Sequence, residues 1–247
     1  MLIFLELFLL GFAVSFVGTN TGGGSLVSIP AMIAMGLPPT IAIASARISS
    51  IGSLIAGLRA FHKHKKVDVK TALPAALISI VGASIGAVIM AHFPTVWLMR
   101  TAGILTIALL GIAYFFRKYH YHLKQLSPSK KIIGYCLFLF TSLIGGFFGG
   151  QGILTTIIYV LFFNKTMSES AGTRKINSLI GNLGPCIIYL FYHFVDWPVV
   201  FALMFGTMLG STAGAHYGIK KGDVWLEKLF ILVSILLAVR LLLVDVA

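Results

Sequence analysis

Gly18-Thr-Asn-Thr-Gly-Gly-Gly-Ser25, continuing through Leu26 to Pro30, is a glycine-rich interruption in sequence otherwise apolar enough for a membrane helix. The Leu2 to Val17 run before it and the Leu26 to Leu37 run after it are both strongly hydrophobic. Unpaired backbone in lipid is costly, so such a break is stable only where it lines a cavity or is buried in protein. The device recurs as Gly145-Gly-Phe-Phe-Gly-Gly-Gln-Gly152. Two such breaks imply half-helices, re-entrant segments or kinked spans that meet inside the membrane, and their meeting point is the candidate site.

Composition sets the medium. Of the 247 residues, 58% are apolar and 11% charged, against about 25% charged in a soluble domain. The reading is an all-α integral membrane protein, one domain over residues 1–247, with the bilayer as its surroundings. No hydrophilic stretch is long enough for a separate soluble domain. The formal charge of +12 is gathered in short loops between apolar runs, which is the positive-inside pattern and excludes a nucleic-acid partner. Cys136 and Cys186 fall in apolar segments and read as small buried hydrophobes, not a disulfide. Glu6 interrupts the first apolar run and no basic stretch precedes it, so that run reads as a membrane segment and not a cleaved signal.

The two halves resemble each other. Ala44-Ser-Ala-Arg47 lies 127 positions before Ala171-Gly-Thr-Arg174, and the same offset carries Gly18, Gly22 and Gly23 onto Gly145, Gly149 and Gly150. An internal repeat is expected, the first copy over about 2–116 and the second over about 130–244. Basic loops at Arg59 to Lys70, Arg117 to Lys131 and Ile219 to Lys228 read as cytoplasmic, whereas His193 to Trp197 has no Lys or Arg and reads as external. Arg59 to Lys70 and His193 to Trp197 hold the same place in the two copies, which makes the repeats inverted and calls for an odd number of crossings in each. Counting short runs separately gives ten segments; fusing them gives eight, four per half, which would make the repeats parallel, and the loop charges favour inversion. Gly82 and Gly86, and Gly206, Gly210 and Gly214, space small residues for close helix packing.

A half-helix starting within the membrane directs its free N–H groups and about half a unit of positive charge into the cavity. That favours an anion, approached by Gly22, Gly23, Gly24, Gly149, Gly150 and Gly152, with Thr19, Asn20, Ser25 and Gln151 as neutral donors. Arg47 and Arg174 stand in equivalent membrane segments almost without acids, and a guanidinium fork suits an oxyanion. Asn177 closes the second arginine motif. His216 is the candidate proton carrier, and sodium held by unwound carbonyls is the other coupling ion considered. No metal site, cofactor motif or catalytic constellation is read, so the chain is not read as an enzyme.

These motifs, with Gly36-Leu-Pro-Pro39, Ala42 to Ser50, Asp196-Trp197, Gly206 to Gly218 and the closing Arg240-Leu-Leu-Leu, resemble the TauE/SafE sulfite exporter family over essentially the whole chain. The resemblance implies a multi-pass permease of the bacterial or archaeal cytoplasmic membrane, carrying small sulfur-containing anions such as sulfite, sulfonates or sulfoacetate. One departure stands out: Gln151 occupies a position where the family suggests a fuller glycine run, so the second half-site is expected to differ in shape. A passive anion channel, or a carrier of another small anion such as a carboxylate, is the alternative.

Overall fold

The computed structural model describes residues 2–117 and 128–221. Ten helices follow in order among them: α1 (Leu2–Thr21), α2 (Gly24–Ala34), α3 (Pro39–Lys63), α4 (Val69–His92), α5 (Thr95–Arg117), α6 (Pro128–Phe147), α7 (Gly152–Phe163), α8 (Met167–Gly181), α9 (Leu183–Phe191) and α10 (Trp197–Lys221). Five stretches within them, Leu2–Thr21, Pro39–Lys63, Val69–His92, Ser129–Phe147 and Trp197–Gly218, are long and apolar enough to cross a bilayer. The chain is an all-α, polytopic membrane protein.

Residue size decides which face of each long helix turns inward. Along α4 the buried positions are small, including Ala72, Ala75, Ala76, Ser79, Gly82, Ala83, Gly86 and Ala87. Leu73, Leu77, Val81, Ile85 and Ile89 face outward. Lipid tails are as apolar as these side chains, so burial of large residues gains little there. Small residues instead let backbones touch. A Cβ at Gly206, Gly210 or Gly214 of α10 would fall against the carbonyl oxygens of Phe8, Phe12 and Phe16 of α1. The same happens at Gly82 and Gly86 of α4, against Leu139 and Leu143 of α6.

These registers fix directions. Contacts that rise together, from Phe8–Gly206 to Phe16–Gly214, make α1 parallel to α10. The Thr207 hydroxyl donates to the Ser49 carbonyl and Ser211 to that of Ser53, so α3 runs with α10. On the other side, α4 runs with α6 through Gly82–Leu139 and Gly86–Leu143, and with α8 and α9 through Ser79–Gly181 and Ser84–Gly184. Arg47 meets Asn182 while Phe61 meets Gly172, so α3 and α8 are antiparallel. Helices 127 positions apart, α1 and α6, α3 and α8, α4 and α10, therefore run oppositely.

The two ends of the bundle are pinned by polar contacts. At one end Asp68 N-caps α4, its carboxylate accepting from the Thr71 N–H (3.2 Å) and hydroxyl (2.7 Å), and it pairs with Lys165 at 2.6 Å. Burial pushes this carboxyl up, but the hydrogen bonds from Lys165 and Thr71, with the Lys165 charge, hold it down at about 2. A capping box between Thr166 and Glu169 starts α8 at the same end. At the opposite end the Tyr192 hydroxyl lies 3.3 Å from His92 Nε2.

Several expectations need correction. Gly18, Thr19, Asn20 and Thr21 are helical, so α1 is long enough to cross and the first break is only Gly22-Gly23. The second break spans Phe148 to Gln151. The apolar run from Ile176 to Tyr192 is divided at Asn182, which caps α8 and opens α9. Cys136 on α6 is exposed and Cys186 on α9 half-buried, so neither is a fully buried hydrophobe. The run Leu226 to Val244, Arg240, and the greater part of the basic loops at Arg117 to Lys131 and Ile219 to Lys228 lie outside the described residues.

Candidate functional site

The two breaks cross each other in the middle of the bundle. Gly22 takes φ +87°, a left-handed conformation that glycine adopts without strain. A Cβ on it would lie 2.6 Å from the Gly152 carbonyl carbon, and a Cβ on Gly152 would strike the Gly22 oxygen. Arg174 Nη1 would sit 2.8 Å from either. Only hydrogen fits at both positions. Ser25 ties the breaks together a turn away, its Oγ accepting from the Gly150 N–H at 2.6 Å.

Around this crossing lies a cavity of about 110 Å³. Its wall includes Gly22, Gly24, Ser25, Gly149, Gly150, Gln151 and Gly152 of the breaks, and Arg47, Arg174 and Lys175. Neither α2 nor α7 has a side-chain cap, and the residues that begin them, Gly24 and Gly152, line the cavity. The Gln151 side chain folds against Gly145 and also borders a smaller recess with Asn177, Ser79 and Thr155.

Three basic side chains are buried there, with Arg47 8%, Arg174 4% and Lys175 2% exposed. Arg47 Nη1 donates to Asn182 Oδ1 at 2.9 Å, and Asn182 in turn donates to Ser50. Arg174 Nη2 donates to the Thr19 carbonyl at 3.0 Å and that of Asn20 at 3.4 Å, satisfying the C-terminal end of α1. Lys175 Nζ donates to Thr19 Oγ1 at 2.7 Å. Arg47 Nη2 and Arg174 Nε reach no acceptor among the described residues. Of the described carboxylates, Asp68 is taken by Lys165, Glu169 and Asp196 cap helices, and Glu6 is exposed.

The sequence-derived residues thus divide. Gly22, Gly24, Ser25, Arg47, Gly149, Gly150, Gln151, Gly152 and Arg174 converge on one cavity. Thr19 and Asn20 turn to α10 instead: Thr19 bonds Ser211 at 2.8 Å, and the Asn20 amide donates to the Gly214 carbonyl. Gly23 is buried without lining the cavity, and Asn177 borders the recess. His216 is exposed on α10, its Nδ1 against the Thr212 carbonyl and its ring against His64, because the glycine face of α10 turns the other way. Sequence reasoning missed Lys175, Asn182, Ser178 and Thr207. The capping box was the available signal, since it sets the start of α8 at Met167 and so places Lys175 more than two turns inside.

Relatives of this chain are membrane transporters by name. It is 28% identical over 241 residues to a "Probable membrane transporter protein ORF9" of Sinorhizobium sp., covering 96% of this chain and 91% of that one. It is 23% identical to a "Probable membrane transporter protein" of Haemophilus influenzae, covering 95% and 92%. The Bacillus subtilis "Probable membrane transporter protein YdhB" is 25% identical over 88% and 89%. No solved structure matches. The description "Sulfite exporter TauE/SafE" fits residues 7–241. A multi-pass bundle with broken helices and a polar cavity at their crossing is therefore that of a membrane transporter, and the chain belongs to the TauE/SafE sulfite exporter family.

Proposed function

We propose that the protein is a secondary permease for small sulfur-containing anions of the cytoplasmic membrane, holding each anion in the cavity at the crossed breaks. The observation that carries this reading is the pair of guanidinium groups, Arg47 and Arg174, buried on one cavity beside the Lys175 amine with no carboxylate among the described residues to balance them. Uncompensated charge within a membrane is costly, so a ligand of opposite sign is the natural complement. An oxyanion offers acceptors to the unmet guanidinium N–H groups and suits the uncapped starts of α2 and α7 on the cavity wall. Within that class, the family description favours sulfite, sulfonates or sulfoacetate. The opposed directions of matched helices support alternating access, with one set of elements rocking against the other. The lysine-rich Arg59 to Lys70 end is the cytoplasmic one on this reading.

Thermal stabilisation of the purified protein by a panel of anions tests it, with and without sodium. A ligand at a hundredfold excess over its Kd stabilises by about 2.7 kcal/mol. A selective shift with a sulfur oxyanion, lost in Arg47→Ala, is expected. A shift with carboxylates alone reassigns the substrate, and a flat panel overturns the site. Saturable counterflow in proteoliposomes separates a permease from a passive channel.

A further inference from the structure

Arg47 and Arg174 keep their charge at any physiological pH. Lys175 is different, because a buried amine readily exists in its neutral form. Its surroundings are those of an amine with nothing to hold a proton. The side chain is 2% exposed and occupies space that only a glycine leaves free: a Cβ on Gly57 would lie 2.8 Å from its Cε and 2.9 Å from its Nζ. Its hydrogen bond runs to Thr19 Oγ1 at 2.7 Å. The Ser211 hydroxyl spends its proton on the Ser53 carbonyl, at 2.8 Å, so the Thr19 hydroxyl donates to Ser211 and leaves its oxygen to accept from Lys175. This chain takes one N–H. An ammonium has three to place.

The groups facing Lys175 are Thr19 of α1, Gly57 and Ser53 of α3, and Ser211 of α10, none of which is charged. Arg174 lies next to it on α8 and Arg47 of α3 shares the cavity, while the buried Tyr159 of α7 lies near Arg174 and Asn177. Asp68, bonded through its backbone to Thr173, has its carboxylate on Lys165. Two fixed cations oppose a third charge, and an anion entering the cavity reverses that balance.

We propose that Lys175 carries the coupling proton: it is neutral in the empty cavity and is protonated as the anion binds, so that anion and proton move together. This rests on the anion site proposed above. Anion affinity and proton affinity then strengthen each other reciprocally, and a monovalent anion crosses without net charge. His216, on the outer face, has no part in it.

The test is calorimetric titration of the purified wild-type protein with methanesulfonate and with thiosulfate, neither of which titrates near neutral pH, in buffers of different ionisation enthalpy. About one proton should be taken up per anion, and affinity should weaken about tenfold per pH unit on the alkaline limb. Lys175→Arg should bind without proton uptake and with affinity independent of pH, while His216→Gln should keep both effects. In proteoliposomes an acid exterior should drive uptake by the wild-type protein and not by Lys175→Arg. Anion binding with no proton uptake in the wild-type protein overturns the proposal, as does uptake that persists in Lys175→Arg or disappears in His216→Gln. The wild-type titration decides even if the arginine variant fails to fold. An absence of binding by any anion at any pH overturns the anion site, and this inference with it.

Discussion

At Gly152 a single methyl group would meet the Gly22 carbonyl oxygen and Arg174 Nη1 at once. Gly152→Ala should cost about 1–3 kcal/mol or more, because backbone and a buried guanidinium must both shift. A lowered thermal midpoint in detergent, with loss of transport, is the expected result. Gly111→Ala on α5 is the comparison: its Cβ would meet nothing within 4 Å, and the change should stay within about 1 kcal/mol of the parent. Equal stability in the two variants would mean the breaks do not touch. The glycines and both arginines of this crossing were legible in the sequence, because glycine runs and isolated charges stand out against apolar residues. The roles of Thr19 and Asn20 were not. Their side chains answer to Ser211 and Gly214, on a helix far along the chain, and nothing local reveals which helix covers them.

Among elements, α1 against α10 and α4 against α6 form the tightest seams, each built on a glycine face. Gly210→Leu should separate α1 from α10 and lower stability strongly, whereas Leu209→Ala, on the exposed side of the same helix, should change it little. Denaturation followed by tryptophan fluorescence reads both. The small-residue spacings announced seams of this kind without naming partners, since Gly-x-x-x-Gly marks a flat face and not what lies on it. The division of α8 from α9 at Asn182 did leave a mark, the cluster Gly181, Asn182, Gly184 and Pro185, which was passed over because the apolar run continues through it. The Asp68–Lys165 pair adds a pH dependence. Its folded carboxyl titrates at about 2, below the usual 3.8. The stability it contributes is therefore present above about pH 4 and lost as pH falls through 2. Asp68→Asn should flatten that part of the acid-unfolding profile; an unchanged profile would show that the pair contributes nothing.

Across the whole molecule, contacts group the ends into two sets. Asp68 with Lys165, and His64 with His216, define one end; His92 with Tyr192 defines the other. Single cysteines at Lys65 and Lys165, in a background lacking Cys136 and Cys186, should react with a membrane-impermeant maleimide from one side only. Cysteine at His193 should react only from the opposite side. Labelling of residues 65 and 193 from the same side would contradict the helix directions. That arrangement was foreshadowed by loop charge, which depends on sequence alone; the meeting of the two breaks was read from their glycines, but the direct contact of Gly22 with Gly152 was not, since it depends on how distant helices seat.

The pairing of α1 with α10 also sets a schedule for biosynthesis. Residues 22–196 must be made between the end of one helix and the start of the other, which at ribosomal speeds takes roughly 10–35 s. Throughout that interval the first helix sits in the bilayer with its mating stripe uncovered. Nascent chains halted before α10 should accordingly be substrates for membrane quality-control proteases, and a first half expressed by itself should accumulate only when the second half is supplied alongside it.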